Sequence, residues 1–213
     1  MKMYRSTNDK LNTDSNDLIE ELLENTLPID EKLNKLINSY SQIKLTPDTE
    51  NQLLKYLITR LGGKIRFPRV GDNNERFDAF IEFEEYYSIV EIEIPSTAIL
   101  DAPRNLLDDY AVALSRNKIV DKPIIPLVIC WDIPNRRSDY WNVISDINKI
   151  LNLKVKTISI LALTLHYWSN IPLDIYSNYY LDVNNPIMEK PIEILDNLGF
   201  SDSIGKGYFE PLK

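Results

Sequence analysis

The sequence predicts an α/β fold, with a mixed central β-sheet flanked by helices. Three observations predict it. Between Phe77 and Ile94, two β-rich runs are separated by the polar pair Glu84-Glu85, as an antiparallel hairpin requires. The stretch Pro123 to Trp131, PIIPLVICW, is short, continuous and aliphatic, the pattern of a strand covered on both faces. Around these lie segments with apolar residues at helical spacing, giving the order helix, three strands, helix, strand, helix, strand across Thr46 to Leu165.

The first 16 residues are polar and rich in Ser, Asn and Asp. Ser15 or Asn16 can cap a helix carrying Leu18, Ile19, Leu22 and Leu23, which Pro28 ends. Leu33, Leu36, Ile37 and Tyr40 repeat at the spacing of a second amphipathic helix. Thr46-Pro47 supplies a capping hydroxyl followed by proline at the first helical position. Leu53, Leu54, Leu57, Ile58 and Leu61 form that helix's stripe, and Gly62-Gly63 terminates it. Lys64 to Val70 is expected as the first strand, and Gly71 to Asn74 as a turn before the hairpin.

In the hairpin, Phe77, Ala79, Ile81 and Phe83 alternate with Asp78, Phe80, Glu82 and Glu84, and Tyr86 to Ile94 forms the second run. After Pro95, a helix is expected with Leu106, Leu107, Tyr110, Ala113 and Leu114 as its stripe. Asn105, Asp108, Asp109 and Arg116 then fall on its other faces. Ser138 to Leu151 reads as another helix. Val155 to Leu165 is expected to hold one more strand, turning helical or irregular near His166. Ser169 to Lys213 loses periodicity, apart from a helix around Ile192 to Leu198 and a Tyr176, Tyr179, Tyr180 group suited to packing or an interface. The expected organisation is a helical segment at 1–45, a core at 46–168 and an extension of the same domain at 169–213.

Composition removes several function classes. The single cysteine, Cys130, sits in an aliphatic run and reads as a buried strand thiol, so a disulfide framework or cysteine zinc site within the chain is excluded. The one histidine, His166, gives no support to histidine triads or histidine zinc sites. No run of about 18 apolar residues is present, so no membrane partner and a cytoplasmic location are expected. The net charge of -8 opposes strong binding to a polyanion by the chain alone. Charge is uneven, however: Arg60 to Arg76 holds five basic residues against two acidic ones.

The chemistry lies in the hairpin. Glu91 and Glu93 are two residues apart on a strand and share one face, and antiparallel pairing brings Asp78 beside them. Three carboxylates against an aliphatic core are costly unless a positive charge joins them, and a hard divalent cation is the usual solution. Asp78 followed by Glu91-Ile92-Glu93 resembles the active-site hairpin of the PD-(D/E)XK nuclease superfamily. The departure is Glu93, where most members carry lysine, although some restriction endonucleases carry glutamate there.

That resemblance implies a restriction-endonuclease-like αβββαβ core and a magnesium-dependent DNA endonuclease, with manganese as substitute. It implies Asp78, Glu91 and the Ile92 carbonyl as metal ligands, and Glu93 as a ligand or water-orienting group. Glu50, in the first turn of the helix before the hairpin, is either a surface carboxylate favoured by the helix dipole or, by resemblance, a support for the metal site. Arg66, Arg69, Arg76, Arg104 and Lys118 are the candidates for contacts to double-stranded DNA. Arg104, Lys118 or Lys122, from neighbouring elements, are the candidates to substitute electrostatically for the missing lysine. The acidic balance, the LDAPRNLLDDY helix and the DIPNRRSDYW segment further resemble the small cleavage subunit of a heterodimeric type IIS restriction endonuclease, which implies a larger DNA-recognising partner. A stand-alone homodimeric nuclease and an inactive nuclease fold serving as an interaction module are the alternatives.

Overall fold

The computed structural model describes residues 23, 26–39, 47–68, 75–94, 98–117, 121–174, 176–200 and 205–213. The chain forms two compact units, Met1–Tyr56 and Leu57–Lys213. In the first, α1 (Ile29–Ser39) buries Leu33 and Leu36, two positions of the stripe expected there. The helix α2 (Pro47–Arg60) starts at the proline that fits a first helical turn. It ends where Gly62 adopts φ 93°, a left-handed conformation that costs glycine nothing. The expected N-terminal helix (Leu18, Ile19, Leu22), the Thr46 cap, the Gly71 to Asn74 turn and Pro95 lie outside the described residues.

The second unit is built on a mixed five-stranded sheet in the order β1-β2-β3-β4-β5. The strands are β1 (Lys64–Arg66), β2 (Ala79–Glu82), β3 (Tyr87–Glu93), β4 (Ile124–Cys130) and β5 (Lys156–Ser159). β1, β2 and β3 are antiparallel neighbours, whereas β4 runs parallel to β3 and β5 parallel to β4. The parallel pairs need crossovers, and helices supply them: α3 (Ala102–Asn117) between β3 and β4, and α4 (Asp139–Leu151) between β4 and β5. The helix α5 (Ile160–Trp168) follows β5, and α6 (Glu189–Asn197) lies near the C-terminus. The α/β class read from the sequence is the class observed.

β3 is the central strand, and its residues explain why. Ile89 and Val90 are wholly buried, as are Val128 and Ile129 on β4 and Ile81 on β2. Each such side chain contributes roughly 1.5–3 kcal/mol by leaving water. Gly63 begins the approach to β1 under tight constraint. A Cβ there would lie 2.8 Å from Ile58 Cγ2, 2.9 Å from Phe83 and 3.0 Å from Ile81, so only glycine lets the chain pass over this core.

Four boundaries differ from the sequence reading. β1 stops at Arg66 rather than reaching Val70, because Pro68 has no N–H to donate to a ladder. β2 starts at Ala79, so Asp78 stands just before the strand rather than within it. The last strand ends at Ser159 and a helix starts at Ile160, well before His166. Ser159 Oγ accepts from the Ala162 amide, an N-cap that stops the strand despite the aliphatic sequence beyond it. The C-terminal helix begins at Glu189, three residues early.

A fifth difference concerns phase. On α3 the wholly buried positions are Ala102, Leu106 and Ala113, with Asp109 between them at 5% exposure, whereas Leu114 is 44% exposed. The buried stripe is therefore rotated from the expected one and passes through an aspartate.

Several expected packing roles are observed. Cys130 is buried and reduced, with its thiol pushed well above its ordinary pKa by burial. His166 is buried and stacked on Tyr179, with its pKa lowered to about 4 by desolvation, so it is neutral at physiological pH. The tyrosine group divides: Tyr180 is buried with its hydroxyl 2.9 Å from that of Tyr86, while Tyr176 is exposed. Among the described residues no helix is long and apolar enough to cross a membrane.

Candidate active site

Glu91 and Glu93 lie near the carboxyl end of β3, the end at which open α/β sheets bind ligands. Their shared face meets α3, since Asn105 Nδ2 donates to Glu91 Oε1 at 3.1 Å. Asp78 arrives from the other side of the strand. Its amide donates to the Val90 carbonyl, and its Oδ2 accepts from the Ile92 amide at 2.8 Å. Glu93 Oε2 accepts from the Ala98 amide at 3.3 Å.

The backbone of Ile92 is a consequence of the register. Glu93 accepts from Trp131 on the β4 side, so by strand alternation the neighbouring Ile92 directs its N–H and carbonyl toward β2. The β2 ladder begins at the pair Ala79–Val90, so no strand residue stands opposite Ile92. Asp78 takes its N–H in place of a ladder partner.

Asp78 and Glu91 open on a cleft of about 280 Å³ lined also by Arg76, Arg104, Asn105, Asp108 and Asp109. Two other clefts are walled mainly by apolar side chains: one includes Trp141, Val183 and Pro186, the other Ile187, Ile192 and Leu195. Of these three clefts, the acidic one is walled mainly by polar groups.

Its carboxylates are electrostatically unusual. Glu91 is pushed up to about 7, chiefly by desolvation, with the Asn105 hydrogen bond opposing and Asp78, Asp109 and Glu93 adding to the rise. Asp109 is pushed up to about 6 by burial, against a lowering influence from Arg76. Glu93 is raised by burial, with the Ala98 amide opposing and Asp78 adding to the rise. Asp78 is raised by desolvation and held back by the Ile92 N–H; it is exposed at the cleft mouth, where solvent screens the effect.

A stability prediction follows. Glu91 and Asp109 hold protons in the native state at pH values where the unfolded chain, near 4.5 and 3.8, has released them. The native state then binds more protons than the unfolded one, so stability without cation falls as pH rises. The loss runs from about pH 4 to about pH 7, and for Glu91 is on the order of 2 kcal/mol. Thermal melts in a chelator should give a higher Tm at about pH 5 than at about pH 8, and Glu91→Gln should flatten that slope. Equal pH slopes in parent and variant would refute the assignment of these shifts.

The structure brings Asp78, Glu91, Glu93 and the Ile92 backbone together. Arg76 and Arg104 line the same cleft. Arg66 lies on β1, two strands from β3, pairing with Glu75 and covering the Phe80 ring at 4.7 Å. Glu50 lies in α2, within the unit Met1–Tyr56. Arg69 and Lys118 lie outside the described residues.

Lys122 does not serve the cluster. Its Nζ bonds the Phe83 carbonyl at 3.0 Å and stands 3.7 Å from Glu82, at the start of β3 rather than its end. Sequence reasoning passed over Asn105 and Asp109. The available signal was their separation of four residues, which puts them on one helical face, and the placement of Asp109 in phase with Ala102, Leu106 and Ala113.

Among the described residues no group of three acidic, histidine or cysteine side chains forms a ready-made metal cage. Magnesium does not require one: it keeps several waters and is commonly bound through one or two carboxylates. Asp78, Glu91 and the Ile92 carbonyl are oxygen donors of that kind, with Asp78 held against the Ile92 amide at 2.8 Å. The donor set fits a hard divalent cation. No protein-family model matches the chain, and no curated protein matches it.

Proposed function

We propose that this protein is a metal-dependent DNA endonuclease of the PD-(D/E)XK kind, cutting when a DNA-recognising partner positions it. The observation that carries this reading is the convergence of Asp78 and Glu91 beside the Ile92 backbone, at the edge of a cleft rimmed by arginines. The element order helix, three strands, helix, strand supports the same superfamily. Magnesium, or manganese in its place, would be held by Asp78, Glu91 and the Ile92 carbonyl. When bound, the cation supplies Lewis acidity at the scissile phosphate and lowers the pKa of water.

The chain's own residues do the rest. Asn105 fixes one oxygen of Glu91 and leaves the other for the cleft. Asp78 is fixed through the Ile92 amide. Glu93 occupies the usual lysine position with one oxygen held by Ala98, and its other oxygen orients the attacking water. Arg76 and Arg104 at the rim face the phosphate backbone. The partner is supported by the net charge of -8 and by the pairing of both rim arginines with aspartates.

The test is conversion of supercoiled plasmid to open-circle form in magnesium or manganese and not in EDTA, with and without extract of the source cells. Nicking that needs both this chain and the cation is the expected result. Absence of chain-dependent nicking under every one of these conditions overturns the proposal.

A further inference from the structure

We propose that Asp109 is a cation ligand of this site, holding a hard divalent cation jointly with Glu91 across the cleft between β3 and α3. The inference rests on the metal-dependent reading above and adds a residue that the hairpin motif does not contain. Ala102, Leu106 and Ala113 are wholly buried on α3, and Asp109 occupies the remaining position of that stripe at 5% exposure. A core position on a helix is where an apolar side chain stabilises most, and an aspartate there breaks the local rule without a packing gain.

Asp109 recovers only part of that cost within the protein, through the charge of Arg76. Among the described residues it accepts no hydrogen bond, and the Arg76 guanidinium, whose charge offsets its own in part, is engaged 2.8 Å from Asp108. A carboxylate this buried and without hydrogen bonds stays costly while the opposing charge is shared with a neighbouring aspartate. Its side chain lines the same cleft as Asp78 and Glu91, and so faces the place where a cation would sit. Asn105, one helical turn earlier on the same face, donates to Glu91 Oε1. The helix therefore contributes an orienting amide and a carboxylate side by side, and the pair is complete only with a cation between β3 and α3.

The test reads cation binding without DNA. The parent and Asp109→Asn, Asp78→Asn and Glu91→Gln are titrated with manganese by calorimetry, and their melting temperatures are measured in EDTA and in manganese. Asp109→Asn should weaken manganese affinity by about tenfold or more, on the scale of losses at supported metal sites. It should also shrink the manganese-induced rise in Tm, while its Tm in EDTA equals or exceeds that of the parent because like-charge repulsion is relieved.

If Asp109→Asn binds manganese as tightly as the parent while Asp78→Asn and Glu91→Gln bind weakly, Asp109 is no ligand and the metal-dependent reading stands without it. A parent that binds no divalent cation overturns both. Should Asp109→Asn fail to fold, Asp109→Glu, which keeps the charge but displaces it, is judged by the same affinity criterion.

Discussion

Asp78→Asn or Glu91→Gln should lower magnesium-dependent strand cleavage by about a thousandfold or more, because several kcal/mol of charge stabilisation go with the cation. Both substitutions keep shape and hydrogen bonding. The carbonyl oxygen of the new side-chain amide can still accept from the Ile92 N–H in the first variant and from the Asn105 side chain in the second. What each removes is one negative charge from a crowded cluster, so the metal-free fold should be as stable as the parent or more so. Glu93→Gln should also slow turnover strongly while leaving cation binding closer to normal, and Glu93→Lys should retain some activity by restoring the commoner hairpin pattern. Nicking rates, set beside melting temperatures, check all four. Undiminished magnesium-dependent cleavage by Asp78→Asn and Glu91→Gln would place the active site elsewhere.

The carboxylates of the site that are legible in the sequence lie on or beside the hairpin strands, and the reason is geometric. A period of two is local, so Glu91 and Glu93 share a face whatever the strand packs against. One hairpin then brings in Asp78. A helix is less explicit, because its faces are defined only by what covers them. The stripe Leu106, Leu107, Tyr110, Ala113, Leu114 and the observed stripe Ala102, Leu106, Asp109, Ala113 differ by a modest rotation, and that rotation decides whether Asp109 faces solvent or the cleft. Leu114, at 44% exposure, shows how an apolar residue on the wrong side biases the reading. The β5–α5 junction failed for a different reason: Ile158 to Leu165 is largely apolar, and one capping hydroxyl, Ser159, decides between strand and helix.

Ion pairing at the rim was also beyond the sequence, and it sharpens the expected behaviour of the isolated chain on DNA. At physiological salt the purified protein should bind a duplex without sequence preference and weakly, with Kd about 10⁻⁴ M or above, the weak end of non-specific affinities. Net charge of -8 opposes the encounter at long range. At short range, Arg76 is 2.8 Å from Asp108, and Arg104 is 2.7 Å from Asp139 and 3.4 Å from Asp101. All of these groups are largely exposed, so the pairs add little stability. They nevertheless neutralise the two guanidinium groups that line the cleft, and a phosphate must compete with an aspartate for each. Asp101→Asn, Asp108→Asn and Asp139→Asn combined should therefore leave Tm nearly unchanged while tightening duplex binding at low salt. Each arginine freed should steepen the dependence of log affinity on log salt by roughly one. Fluorescence anisotropy of a labelled duplex across a salt series measures both quantities. Tight, sequence-specific binding and double-strand cutting by the parent alone would rule out the need for a DNA-recognising partner. An unchanged salt slope in the triple variant would mean that Arg76 and Arg104 do not meet the phosphate backbone.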